Sequence, residues 1–305
     1  MAKTLRIPAV VDILWTDDPA EIEALAADRR LDRQFEGAGP LVNRIVTARI
    51  RRNLHVQGVP LPPVAPRDAS GRAAQQADLE ARLVAAVSQV ASTDLDELAL
   101  HVLGRSPPAD LGPLVQQVLG RLFVPDYQAS AQTWEDAGLI DASVRSFNPL
   151  RRLVWWFSGS VDRARQNLTA AIGHDPAGLH TTGIAVHNVI HTIERMRHLA
   201  AQSNAGTMPS ANEAIARCLS APKSVLREAI APGTTAAGAF RRGTLVMLRL
   251  EAARAGHARR DIAFMATSWS RCPARDWVVS LLTDVWDRAC DIGRRQARAQ
   301  RSPPP

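Results

Sequence analysis

Cysteine, tyrosine and lysine are all scarce in this chain. Of its 305 residues three are Cys and one is Tyr, and aromatic residues make up 5%. Cys218, Cys272 and Cys290 are odd in number and widely spaced, which excludes a disulfide scaffold and fits a reducing compartment. Lysine occurs only as Lys3 and Lys223, so 35 of the 37 basic residues are Arg. The net charge of +7 is compositional, because Asp and Glu are interleaved almost throughout and no basic stripe with intervening aromatics forms. That distribution argues against a nucleic-acid partner. No apolar run approaches the roughly 18 residues of a membrane span, and the opening MAKTLRIPAVVDILW is interrupted by Asp12 with no small-residue cleavage site after it. The expectation is a cytoplasmic protein with no membrane partner.

What is present is enough hydrophobic sequence, 46% against 22% charged, to fold rather than stay disordered. Val10 to Trp15 reads as a short strand. Asp18-Pro19-Ala20-Glu21 then supplies an N-cap, a proline at the first helical position and a reciprocal acid, so a helix to about Asp28 follows. Residues 58–72 are rich in Pro and Gly and read as a loop. Helical periodicity marks Ala73 to Val90, Leu95 to Leu103 with Gly104 as a C-cap, Leu114 to Leu122 and Asp162 to Ile172. Gly243 to Leu250 is a second strand candidate, and residues 302–305 read as a disordered tip.

Asp175-Pro176 opens a longer helix, with no further proline for more than twenty residues. At about 100° per residue, His180, His187, His191 and His198 fall on one stripe with Glu194 beside them. Such a stripe is either a polar helix face or a metal-binding one. His187 and His191 have the i, i+4 spacing that lets two imidazoles converge on one ion, and Glu194 offers a carboxylate. A mononuclear hydrolytic site would carry its catalytic Glu within that motif, where Asn188 stands.

Near the carboxyl end, Val278, Val279, Leu282, Val285 and Trp286 follow helical spacing after Pro273. This places Pro273 as the first helical residue and Cys272 at the N-cap, where free backbone N–H groups and the neighbouring Arg271 favour a thiolate. Such a thiolate is a nucleophile, a redox sulfur or a metal ligand. The alternative is a small apolar core residue.

The order of these two stretches resembles that of the cytochrome P-450 family, the cysteine-ligated heme proteins. Ala177-Gly178-Leu179-His180-Thr181-Thr182 is similar to the family's central-helix motif, and Phe264 to Ala274 (FMATSWSRCPA) to its cysteine loop. Phe240 to Ala255 looks like the strand and turn preceding that loop, and VVDILWTDDPAEIEALAAD like an early strand and helix. The family's helical acid and arginine pair is represented by Ser224 and Arg227, with Ser in place of Glu. The cysteine loop has one residue too many and Ala274 where Gly is usual, and the chain is about a hundred residues short for the family.

The resemblance implies a mainly α fold with a small β component, a shortened cytochrome P-450-like domain over residues 1–301. It also implies heme b, with Cys272 as axial ligand to the iron, and Ala177, Gly178, Arg227 and Arg271 among the groups that hold the cofactor. Arg241, Arg242 and Arg271 are candidates near the heme carboxylates. Thr181 would order water or peroxide and His180 would act as general acid or base. The implied activity is a heme-dependent monooxygenase or peroxygenase oxidising a small apolar organic substrate, with a ferredoxin-type electron donor as candidate partner. Trp134, Trp155, Trp156, Phe123 and Phe147 are candidate pocket walls. Two alternatives stand beside it: a helical metal protein using His187, His191 and Glu194, and a catalytically inactive relative that binds.

Overall fold

The computed structural model describes residues 3–56, 59–60, 67–146, 148–203, 208–254 and 259–301. In chain order these form β1 (Lys3–Ile7), β2 (Val11–Thr16), α1 (Pro19–Ala27), β3 (Leu31–Asp32), α2 (Leu41–Leu54), β4 (His55–Val56), β5 (Val59–Pro60), α3 (Arg72–Val87), α4 (Ser92–Val102) and α5 (Leu111–Arg121). Next come α6 (Ala131–Arg145), α7 (Pro149–Ser158), α8 (Ser160–Ala171), α9 (Pro176–His180), α10 (Val186–Gln202) and α11 (Ala211–Cys218). The chain closes with β6 (Val225–Ala229), β7 (Gly233–Thr235), β8 (Gly238–Phe240), β9 (Leu245–Leu248), α12 (Leu250–Arg254), α13 (Arg260–Phe264) and α14 (Arg275–Arg301). The mainly helical fold with a small sheet is as expected. Among the described residues no helix is long and apolar enough to cross a membrane.

The chain divides into two compact units, Met1–Asp78 with Ala221–Pro273, and Leu79–Ser220 with Ala274–Pro305. The first holds the sheet, in the order β1-β2-β9-β6-β3. β2 lies parallel to β9 with Ile13 opposite Leu245, and β6 runs antiparallel to β9 with Arg227 opposite Val246. Leu14, Leu31, Val246 and Leu248 fill its core. Asp12 breaks the apolar run of β2 because it is a buried hub. It accepts from Arg6 Nε at 3.0 Å, Arg241 Nε at 2.8 Å and Thr244 Oγ1 at 2.9 Å, so its charge is matched inside the protein. Asp18 caps α1 by accepting from Glu21 N, and Pro19 is its first residue, as the sequence predicts. Of the Pro-rich 58–72 stretch, expected to be a loop, residues 59–60 are a short strand and Arg72 opens α3, while residues 58 and 61–66 and the 302–305 tip lie outside the described residues.

The second unit is helical. α10 packs against α4, α5 and α11, α14 against α4 and α11, and α6 against α8. Leu98, Leu119, Ile140, Leu168, Met196 and Trp286 are buried there. Trp286 also satisfies its indole by donating to Pro209 O at 2.9 Å. α14 begins at Arg275, after a turn at Pro273 and Ala274. Cys272 therefore precedes the helix by more than the expected single position.

Candidate functional site

Cys272 ends a closed loop in the first unit. After α13, Met265 takes a left-handed conformation (φ 49°) and turns the chain. Ser268 N donates to Met265 O at 2.8 Å, and Cys272 N returns to Phe264 O at 2.9 Å. Ser268 and Ser270 face inward, their hydroxyls 3.1 Å apart, with Ser268 Oγ donating to Ala26 O at 3.2 Å. Gln76 Nε2 donates to Arg271 O at 3.1 Å. The backbone is thus pinned on several sides while the Cys272 side chain is left exposed. The other thiols differ: Cys218 is buried, and burial pushes the Cys290 thiol up.

Arginines gather around this loop. Arg227, 2% exposed on β6, donates through Nη2 to Ser270 Oγ at 2.5 Å, and its Nε is a buried donor with no partner. Burial holds the Arg227 guanidinium well below the usual arginine range, the charge of Arg33 adds to the effect, and Asp32 opposes it. Arg33 is pulled down to about 10, by burial first and by Arg72 second, with Cys272 and Asp32 opposing. Arg72 is lowered by burial and then by Arg271 and Arg67. Two of these cations lie over the Trp269 ring, with Arg72 Cζ 4.6 Å and Arg67 Cζ 5.4 Å from its centroid. Five guanidiniums that repel one another in a partly desolvated place, with Asp32 as the buried acid among them, make a site that favours anions.

The sequence places the carboxylate-binding arginines differently. Arg241 is taken by Asp12, and Arg242 by Glu36 at 3.1 Å, so of that trio only Arg271 lies among the clustered cations. Arg33, Arg67 and Arg72 were missed. Arg227, expected on a helix, lies on the strand β6. A helical acid and arginine pair occurs one element earlier, on α11, where Glu213 and Arg217 are four apart and 3.6 Å from each other. Both are more than half exposed.

In the second unit the long helix starts as expected, with Asp175 accepting from Ala177 N at 2.7 Å and Gly178 N at 3.1 Å. It is not uniform. Thr181–Ala185 form a π turn between α9 and α10. Thr182 Oγ1 donates back to Gly178 O at 2.9 Å, and Gln116 Nε2 donates to Thr182 O at 3.2 Å, which supports the widened turn. Thr181 is buried and His180 half-buried at its start. Ala177 is buried, and the space a Cβ would need at Gly178 is taken by Ile172 and Phe123, so packing already accounts for that glycine.

The wider π turn also resets the helical phase between His180 and His187. His187 sits against Trp134, ring centroids 5.3 Å apart, and burial lowers its pKa. His191 and Glu194 form an exposed pair at 3.0 Å, and His198 is exposed. Among the described residues no group of three or more His, Cys, Asp or Glu is placed to share an ion. This corrects the His187, His191 and Glu194 metal alternative: one member is turned to an aromatic ring and the other two are satisfied by each other. Of the candidate pocket aromatics, Trp134 packs on His187 and on Gly112, Trp156 is exposed, and Phe147 lies outside the described residues.

No protein-family model and no curated protein matches the sequence. Solved structures do match the fold. Similar to this chain are mycinamicin VIII C21 methyl hydroxylase from Micromonospora griseorubida, bound to mycinamicin VIII (15% identity, TM-score 0.58, 98% of this chain and 86% of that one), and CYP154C4 from Streptomyces sp. W2061 (14%, 0.60, 94% and 83%). P450BioI, in complex with an acyl carrier protein ligated to hexadec-9Z-enoic acid, matches at 14% identity and TM-score 0.55, covering 97% of this chain and 87% of its own. The fold is that of the cytochrome P450 structures, in a shortened and divergent form.

Proposed function

We propose that this chain is a heme-thiolate oxidoreductase, a cytochrome P-450-like monooxygenase or peroxygenase acting on a small apolar organic substrate. One observation carries the reading: an exposed thiol held by a pinned loop among arginines, one of which has a buried Nε without a partner. That donor set fits heme b, which would take a thiolate ligand from the protein and cations for its two carboxylates. Cys272 would be its sulfur ligand, and Arg33, Arg72, Arg227 and Arg271 would hold its carboxylates. Bound heme supplies oxidising chemistry at its iron, which thiolate donation favours.

The chain's own residues do the rest. The backbone bond from Cys272 N to Phe264 O and the Ser268 and Ser270 contacts fix where the sulfur stands. The arginines put positive charge beside the sulfur. In this reading residues 1–301 act as one domain. Thr181 would hold a water or peroxide, and the His180 imidazole would take and return a proton. Electrons come from a ferredoxin-type donor or are supplied by peroxide, in the cytoplasm.

A second reading, a relative that kept the fold and lost the chemistry, draws on Ser224 and on the exposed position of the Glu213 and Arg217 pair. Protein expressed with heme supply, reduced and exposed to carbon monoxide separates the two. A thiolate-type Soret shift supports the enzyme, and heme-free wild-type protein supports the binder.

A further inference from the structure

α7 is built unlike its neighbours. Its sequence, PLRRLVWWFS, puts Leu150, Leu153, Val154 and Phe157 on one side, with Trp156 at the edge of that side, and all five are exposed. Leu150 is 72% and Phe157 74% exposed, values at which a large apolar side chain gains nothing from the fold. Trp156 and Phe157 pack edge to face, ring centroids 4.7 Å apart, so the patch is held in shape. The helix is deliberate in its local chemistry. Asn148 caps it by accepting from Leu150 N and Arg151 N, and Gly159 ends it in a left-handed conformation before α8.

The charges within α7 have one sign. Arg151 and Arg152 lie in α7, Arg163 follows one turn into α8, and α7 contains no acid. The nearest acid in α8, Asp162, is 3.5 Å from Arg165. A clustered apolar surface with aromatic residues at its edge and arginines beside it suits the boundary between lipid headgroups and acyl chains, with anionic headgroups answering the cations.

We propose that α7 is a peripheral anchor that docks this unit on an anionic lipid surface, lying in the interface rather than crossing it. This revises the expectation of no membrane partner, which rested on the absence of a spanning stretch and does not bear on a ten-residue interfacial helix. The inference is independent of heme.

The test is co-sedimentation of the full chain with vesicles of phosphatidylcholine alone or mixed with phosphatidylglycerol, at low and high salt. Binding is expected to the mixed vesicles and to weaken with salt. Arg151→Gln and Arg163→Gln should each weaken it about fivefold. A Leu150→Glu, Phe157→Glu variant should lose it by about tenfold or more, with far-ultraviolet circular dichroism unchanged because both sites are exposed. No binding of the wild type to mixed vesicles overturns the proposal. So does equal binding by the Glu variant. Self-association that the Glu variant abolishes, without vesicle binding, assigns the face to a second copy and also overturns it.

Discussion

In the helical unit, histidines that lie in line in the sequence are dispersed by the fold, whereas in the sheet-bearing unit arginines far apart in the sequence converge. His187, His191 and His198 share a helix yet face an aromatic ring, a carboxylate and solvent respectively. Arg33, Arg67, Arg72, Arg227 and Arg271 come from four separate stretches and crowd one loop. Periodicity on a helix records which residues share a face, not whether that face has anything to hold. Convergence is created by strand pairing and loop closure, and it leaves a physical trace: lowered guanidinium pKa values and a buried donor without a partner.

The sharpest way to break this contrast is inside the helical unit itself. His180→Ala should reduce peroxide-driven turnover on the order of a hundredfold, measured as kcat, while His198→Ala leaves it near the wild type. Equal losses would make the histidines one structural face and remove the role given to His180.

A smaller effect is expected from the arginines. Arg227→Leu should weaken hemin binding about tenfold in a titration of the apo-protein. The same variant should not lose thermal stability in proportion, because it removes a desolvated charge facing like charges. His191→Ala, on the dispersed stripe, should bind hemin as the wild type does.

The smallest effect concerns pH. Burial lowers both His101 and His187 in the helical unit from the ordinary 6.5. The unfolded chain therefore takes up protons near 6.5 that the folded chain refuses, so stability is full above that value and falls as pH drops below it. A melting temperature lower by roughly 2–4 °C at pH 5 than at pH 7 is expected. A His101→Gln, His187→Gln variant should flatten that slope.

Much of the architecture was legible because it is local. The Asp18-Pro19 and Asp175-Pro176 helix starts were legible, as was the strand within Gly243 to Leu250, which appears as β9. β1 was missed: all five of its residues are exposed, so no buried face marks it in the sequence. The π turn was missed because its support comes from Gln116, far off in sequence. Of the candidate site, the resemblance pointed to Cys272 and Arg227. Arg33 and Arg72 were not, because a lone Arg in an Arg-rich chain carries no signal until the fold buries it. Arg241 was misread for the converse reason: its acid, Asp12, is more than two hundred residues away.

The central claim is that Cys272, among these arginines, is the thiolate ligand of a bound heme. Its most direct test is the carbon monoxide difference spectrum of the reduced protein beside that of Cys272→Ser. The account predicts a thiolate-type Soret shift in the wild type and its loss in the variant. An absence of heme in the wild type, or the same spectrum from both proteins, would contradict it.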